Sequence, residues 1–215
     1  MKIGKRFNEL MSFAASEATF ALSGLLDQQI KLAHVDVTVK VSEVQNSIKD
    51  NIKEELAQIN PNTGGAIIMT TPLIGTLEGI ASFILPVTSA FRLCDVLLHR
   101  KLGSTTQLGS IEESALLESG NIIVSCFLNA LGYISVLDNI LHKKMTLRVS
   151  TNNEAPNLSY LASRGEYIVR TSFYMKHSVQ DEEQRMDIDG ICVFFFESAK
   201  VTALLNMPHN PEKSC

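Results

Sequence analysis

The sequence predicts an α+β protein: one continuous β-sheet with two long helices packed on it. Two copies of a helix–strand–strand–strand–helix unit build it with pseudo-two-fold symmetry. Three observations lead there. Two long segments carry apolar residues at three- and four-residue steps, as amphipathic helices do. Several short runs alternate apolar and polar residues, or are continuously apolar, between Gly, Pro and Asn turns, as strands are. Finally, the second half repeats the first. Shifted by 109 positions, Glu9 falls on Glu118, Ser12 on Asn121, Ser16 on Ser125, Ala21 on Ala130 and Leu22 on Leu131. VTVKVS (37–42) matches MTLRVS (145–150) at a shift of 108, one position short of the helix frame, so the order of elements supports duplication as well as the identities.

The first helix is expected from about Gly4 to Asp27. Its basic start (Lys2, Lys5, Arg6) and apolar stretch from Leu10 resemble a secretion signal, but Glu17 and four hydroxyl residues interrupt it, so an amphipathic helix is the better reading. Val35, Val37, Val39 and Val41 alternate with polar residues and predict a half-exposed strand. Residues 44–59 are polar with weak helical character, including a charged stretch 49–55 read as solvated surface, and 60–65 is a turn. Gly65–Thr71 and Thr76–Leu85 read as strands around Gly75, and Pro86 opens a helix over Val87–Lys101, where proline suits the first turn. The second long helix spans Ile111–Gly132. Lys144–Ser150 is a strand, 152–164 a loop with a short helix, and Tyr167–Val179 and Met186–Glu197 are strands joined by the acidic turn 180–184. The triple Phe194, Phe195, Phe196 reads as buried strand, and a last helix covers Ser198–Met207. Residues 1–215 thus form one domain, with repeats at about 5–101 and 111–207 and a flexible tail at 208–215.

Composition narrows the function. The 215 residues are ample for one core. A net charge of -4 and no Trp give neither a basic footprint nor stacking platforms for nucleic acid. No stretch of about 18 apolar residues is free of charge, so no membrane span is expected. Cys94, Cys126, Cys192 and Cys215 form no C-x-x-C pair and read as reduced thiols in a cytoplasmic protein. The five histidines show no metal-ligand spacing, and no phosphate-binding glycine motif or Ser-His-Asp set is recognisable.

One feature does carry chemistry. Ser114, Glu118, Asn121 and Ser125 recur at helical steps and share a face within roughly 60° on the second long helix. Leu116, Gly120, Ile123, Val124, Phe127 and Leu131 take the opposite side. By spacing alone such a stripe is an ordinary solvated face.

The segment GTLEGIASFILP (75–86), the helix after it and SALLESGN (114–121) resemble the CheC family of chemotaxis phosphatases, which includes CheX and FliY. The family motif is Asp or Ser, three residues, Glu, two residues, Asn, with a Pro some two dozen residues on. Ser114, Glu118 and Asn121 match it, while Lys144 stands near where the Pro is expected. The first copy is degenerate: Glu9 remains, Ser12 replaces Asn, and Lys5 stands in the Ser or Asp position.

The resemblance implies an enzyme, a protein aspartyl-phosphate phosphatase acting on a phosphorylated CheY-type response regulator. Asn121 would orient the attacking water, Glu118 would pair with the regulator's Lys, and Ser114 would support them. The Glu9/Ser12 site would be inactive or only dock. A carboxamide suits the water-holding role, because it donates and accepts without placing charge beside phosphoryl oxygens. No cofactor or metal of the chain's own is implied, since the partner supplies the metal ion. A monomer is implied for a chain holding both repeats. The alternative is a non-catalytic binding module for the phosphorylated regulator or for the deamidase CheD. A structural part of the flagellar switch is a weaker third reading.

Overall fold

A computed structural model describes residues 2–25, 65–135, 139–151, 167–176, 187–197 and 201. The expected strand 35–42, the segment 44–59, the turn at 60–64, the loop 152–164, the acidic turn 180–184, most of the helix 198–207 and the tail 208–215 lie outside the described residues. The described elements are α1 (Lys2–Leu25), β1 (Gly65–Gly75), β2 (Gly79–Pro86), α2 (Val87–Leu97), α3 (Ser110–Ser135), β3 (Ile140–His142), β4 (Thr146–Thr151), β5 (Tyr167–Lys176) and β6 (Asp187–Phe196).

The strands form one antiparallel sheet in the order β3-β1-β2-β6-β5, with β4 also pairing with β1. β1 runs through to Gly75 instead of stopping at Thr71, and the short β3 is an addition to the expected set. Both differences have one cause. β1 is flanked on its outer side first by β4 (Gly65–Thr70) and then by β3 (Leu73–Gly75), so it stays paired along its length. Pro72 falls where that partner changes, a position at which a missing N–H costs least. Gly75 then turns the chain at a φ of 96°, with a Cβ-sized space already filled by the Asn139 carbonyl oxygen. Only glycine meets both conditions.

The helices cover one face of the sheet. α1 buries Leu10, Met11, Ala14, Ala15 and Ala18, a narrow stripe of mostly small residues along which α3 packs closely. α3 buries Leu116, Ile123, Val124, Phe127 and Leu131. Phe127 stacks on Phe194 of β6 at 3.8 Å between ring centroids, and Phe194 lies 6.0 Å from Phe196. The expected buried strand at Phe194–Phe196 is therefore present, and it anchors α3. Ile68, Ile84, Ile191, Val193 and Phe195, on the alternate positions of the same strands, are buried too. α3 is long and apolar enough to cross a membrane, but half of that stretch is buried inside this fold.

α2 ends at Leu97 rather than at Lys101. His99 adopts a left-handed φ of 50°, with its N–H bonded to Val96 O and the Arg100 N–H to Asp95 O, the two bonds of a Schellman stop. The buried Asp95 carboxylate holds the turn in place. It accepts from Gly103 N at 2.7 Å, Ser104 N at 3.2 Å, Ser104 Oγ at 2.9 Å, Thr105 N at 3.0 Å and Thr105 Oγ1 at 2.6 Å. This loop delivers the chain to α3. Gly109 N donates to Glu112 Oε2 at 2.9 Å, the reach-back half of a capping box. Arg100 pairs with the other oxygen of Glu112, which lowers the glutamate's pKa.

Burial by itself would raise the Asp95 pKa, but the hydroxyls of Thr105 and Ser104 and the backbone N–H groups of Gly103 and Thr105 outweigh it and leave the value below the ordinary 3.8. A depressed folded value means that the stabilisation is present above the unfolded pKa and is lost as pH falls through the folded one. Asp95→Ala is expected to cost about 2–4 kcal/mol in urea unfolding near pH 7, since it strands several buried donors. The difference from the unsubstituted chain should shrink below the ordinary value of 3.8. A cost that did not change with pH would contradict this role.

Candidate functional site

The polar stripe on α3 forms as the periodicity predicts. Ser114 and Glu118 are exposed, Asn121 and Ser125 are half-buried, and the apolar positions on the other side face the core. The roll of the helix is set by Gly120. A Cβ there would come 2.5 Å from the Met145 sulfur and 3.5 Å from that of Met69. Both methionines are buried, so the backbone of α3 rests directly on their side chains. Glu118 and Asn121 flank this contact in sequence and are carried away from the sheet by it. Ser119, also buried, turns its hydroxyl back to Leu116 O at 2.8 Å and leaves the stripe to its neighbours.

Asn121 differs from expectation in one respect. Its Oδ1 is buried without a hydrogen-bond partner, the one such side-chain atom among the described residues. Only the donor half of the amide is therefore available in this conformer. An unsatisfied buried carbonyl oxygen costs about 1–3 kcal/mol.

Ser125 has a partner that spacing did not reveal. Its Oγ lies 2.9 Å from His142 Nε2, and His142 Nδ1 lies 2.9 Å from the Lys143 carbonyl oxygen. The same carbonyl accepts from the buried Thr71 Oγ1 at 2.6 Å, while Lys143 N donates to Pro72 O at 2.9 Å. The stretch 143–145 between β3 and β4 is thus tied to β1 by its backbone. The Lys143 amide makes a bond that a proline at that position could not, and Lys144 is exposed. In the sequence His142 is one of five scattered histidines, and its only signal was the place of Ser125 on the stripe.

The first copy of the motif lies on α1, where Glu9 and Ser12 are both exposed. The side chain of Lys5 is outside the described residues. Cys94 and Cys192 offer no nucleophile: burial pushes each thiol up to about 12, with Glu112 and Asp95 adding to the rise at Cys94. Cys126 is raised by burial and by Glu17 of α1. Among the described residues no group of His, Cys, Asp or Glu side chains is arranged to hold a metal ion.

Several solved structures share this architecture. Thermotoga maritima FliY superposes with a TM-score of 0.65 at 17% identity, over 94% of this chain and 93% of that one. The FliM middle domain of H. pylori gives 0.59 at 10% identity, over 95% and 97%. A CheC-like superfamily protein from Shewanella sp. PV-4 gives 0.54 at 10% identity, over 88% and 97%. The chain has the CheC-like fold. At these identities the likeness is one of fold alone, and it extends over nearly all of each CheC-like chain. No family model and no curated protein matches the sequence.

Because Gly120 is the contact that sets α3 on the sheet, Gly120→Val is expected to destabilise the CheC-like fold by about 2–3 kcal/mol through overpacking against Met69 and Met145. Gly120→Ala gains about 1 kcal/mol of helix propensity, which offsets the smaller methionine shift it needs. Thermal unfolding of the two variants checks this, and equal losses would contradict it.

Proposed function

We propose that the chain is a chemotaxis phosphatase that hydrolyses the aspartyl phosphate of a CheY-type response regulator. The observation that carries this reading is Ser114, Glu118 and Asn121 on one outward face of α3, on a fold shared with CheC-like proteins. The regulator brings the acyl phosphate and its metal ion, and this chain adds a side chain that places water in line with phosphorus. Phosphoryl transfer has a loose transition state, so placement matters more than base strength. Asn121 holds the water and Glu118, one helical step away, pairs with a regulator lysine and fixes the angle of approach. Ser114 extends the contact. Glu9 and Ser12 on α1 form the degenerate second site, which lacks an amide and is inactive or only docks.

Two repeats within 1–215 form one duplicated domain, acting as a monomer in the cytoplasm. The antiparallel pairing of β2 with β6 at the middle of the sheet, each next to its own hairpin partner, supports the duplication.

A second reading is a binding module, with CheD or the phosphorylated regulator as ligand and no turnover. The likeness to FliM favours considering it, since an H. pylori FliM with this fold was solved in a FliG–FliM complex. The two readings part at Asn121. In a single-turnover assay with a regulator phosphorylated by a small phosphodonor, Asn121→Ala is expected to slow hydrolysis roughly 100-fold with regulator binding retained. Equal rates for the variant and the unsubstituted chain would exclude the catalytic role. Glu118→Ala should act mainly through weakened binding.

A further inference from the structure

The contact between Ser125 and His142 has a fixed direction. A carbonyl oxygen can only accept, so the 2.9 Å contact between His142 Nδ1 and Lys143 O places the proton of a neutral imidazole on Nδ1. Nε2 is then the acceptor, and Ser125 Oγ donates to it across 2.9 Å. Thr71 Oγ1, donating to the same carbonyl at 2.6 Å, and the bond from Lys143 N to Pro72 O hold that carbonyl in place. Ser125 therefore has its proton committed to His142 and keeps its lone pairs for other donors.

Asn121 and Ser125 are one helical turn apart. Side chains at that spacing have Cβ atoms about 5–6 Å apart, a gap that one water spans with a hydrogen bond to each. Asn121, with Oδ1 turned inward, offers its amide N–H to the water oxygen. Such a water has no acceptor on Asn121 for its own proton. The Ser125 hydroxyl oxygen is the acceptor that the geometry provides.

We infer that Ser125 and His142 form a proton relay for the water that Asn121 holds. This rests on the phosphatase reading and extends it to the fate of the proton. As the water oxygen bonds to phosphorus, the bond from phosphorus to the regulator's carboxylate oxygen breaks and its electron pair leaves with that carboxylate. The water proton passes to Ser125 Oγ, and the Ser125 proton passes to His142 Nε2, which becomes an imidazolium. That proton then returns to solvent. Ser125 touches the reacting water, and His142 is a positioning residue that acts through it.

Two measurements test the relay on the full chain. In ¹⁵N spectra of the chain alone, neutral His142 should carry its proton on Nδ1, and a proton on Nε2 would overturn the relay. In turnover assays corrected for the regulator alone, His142→Gln and Ser125→Ala should each lower kcat about 10-fold, with KM little changed. This is less than acid–base catalysis usually supplies, because a loose transition state keeps the proton on water until late. Ser125→Thr, which keeps the hydroxyl, should retain the kcat of the unsubstituted chain. An active unsubstituted chain whose His142→Gln variant keeps kcat would overturn the relay and leave the phosphatase reading standing. An unsubstituted chain with no turnover would overturn that reading and the relay together.

Discussion

The contact of Gly120 with the sulfurs of Met69 and Met145 governs the rest of the site. A helix that lies on a sheet can roll about its own axis, and the residue of closest approach decides which face looks outward. Here that residue has no side chain, and two flexible thioethers fill the space beneath it. The phenylalanine stack between Phe127 and Phe194 fixes α3 two turns further along. Between these two points the polar stripe cannot turn inward without breaking one of them.

The same arrangement explains the cost stored at Asn121. Its half-buried position brings the amide oxygen against the protein with no partner, while Glu118 and Ser114 are exposed. The phosphatase reading proposed for the chain asks for an amide near the surface and restrained, rather than free on a long side chain. The bonded backbone at Lys143 adds to this. It braces the neighbouring edge of the sheet by hydrogen bonds to Pro72 and Thr71 and holds His142 against the last residue of the stripe. Hydrogen bonds do the bracing here, through a backbone amide that a proline would lack.

Much of this was legible from residue order. The three- and four-residue apolar steps located α1 and α3, the buried Phe194–Phe196 strand read correctly, and the stripe from Ser114 to Ser125 lies on one face as its spacing required. What local pattern could not show was tertiary. The overrun of β1 to Gly75 depends on two strands that share its outer edge. The early end of α2 depends on a carboxylate, Asp95, that gathers donors from residues eight to ten positions later. His142 meets Ser125 only because β3 lies beside α3, and no one-dimensional spacing encodes that meeting. The inward turn of the Asn121 oxygen is likewise a consequence of packing and invisible in the motif.

We place the docking of the phosphorylated partner on the outward face of α3. Its most direct test is chemical-shift mapping of the intact chain against a CheY-type regulator carrying beryllofluoride, a stable mimic of the phosphoryl group. The largest changes should fall on Ser114, Glu118, Asn121 and Ser125, with smaller ones at Glu9 and Ser12 on α1. Changes confined to α1 or to the sheet edge, with α3 unmoved, would contradict it.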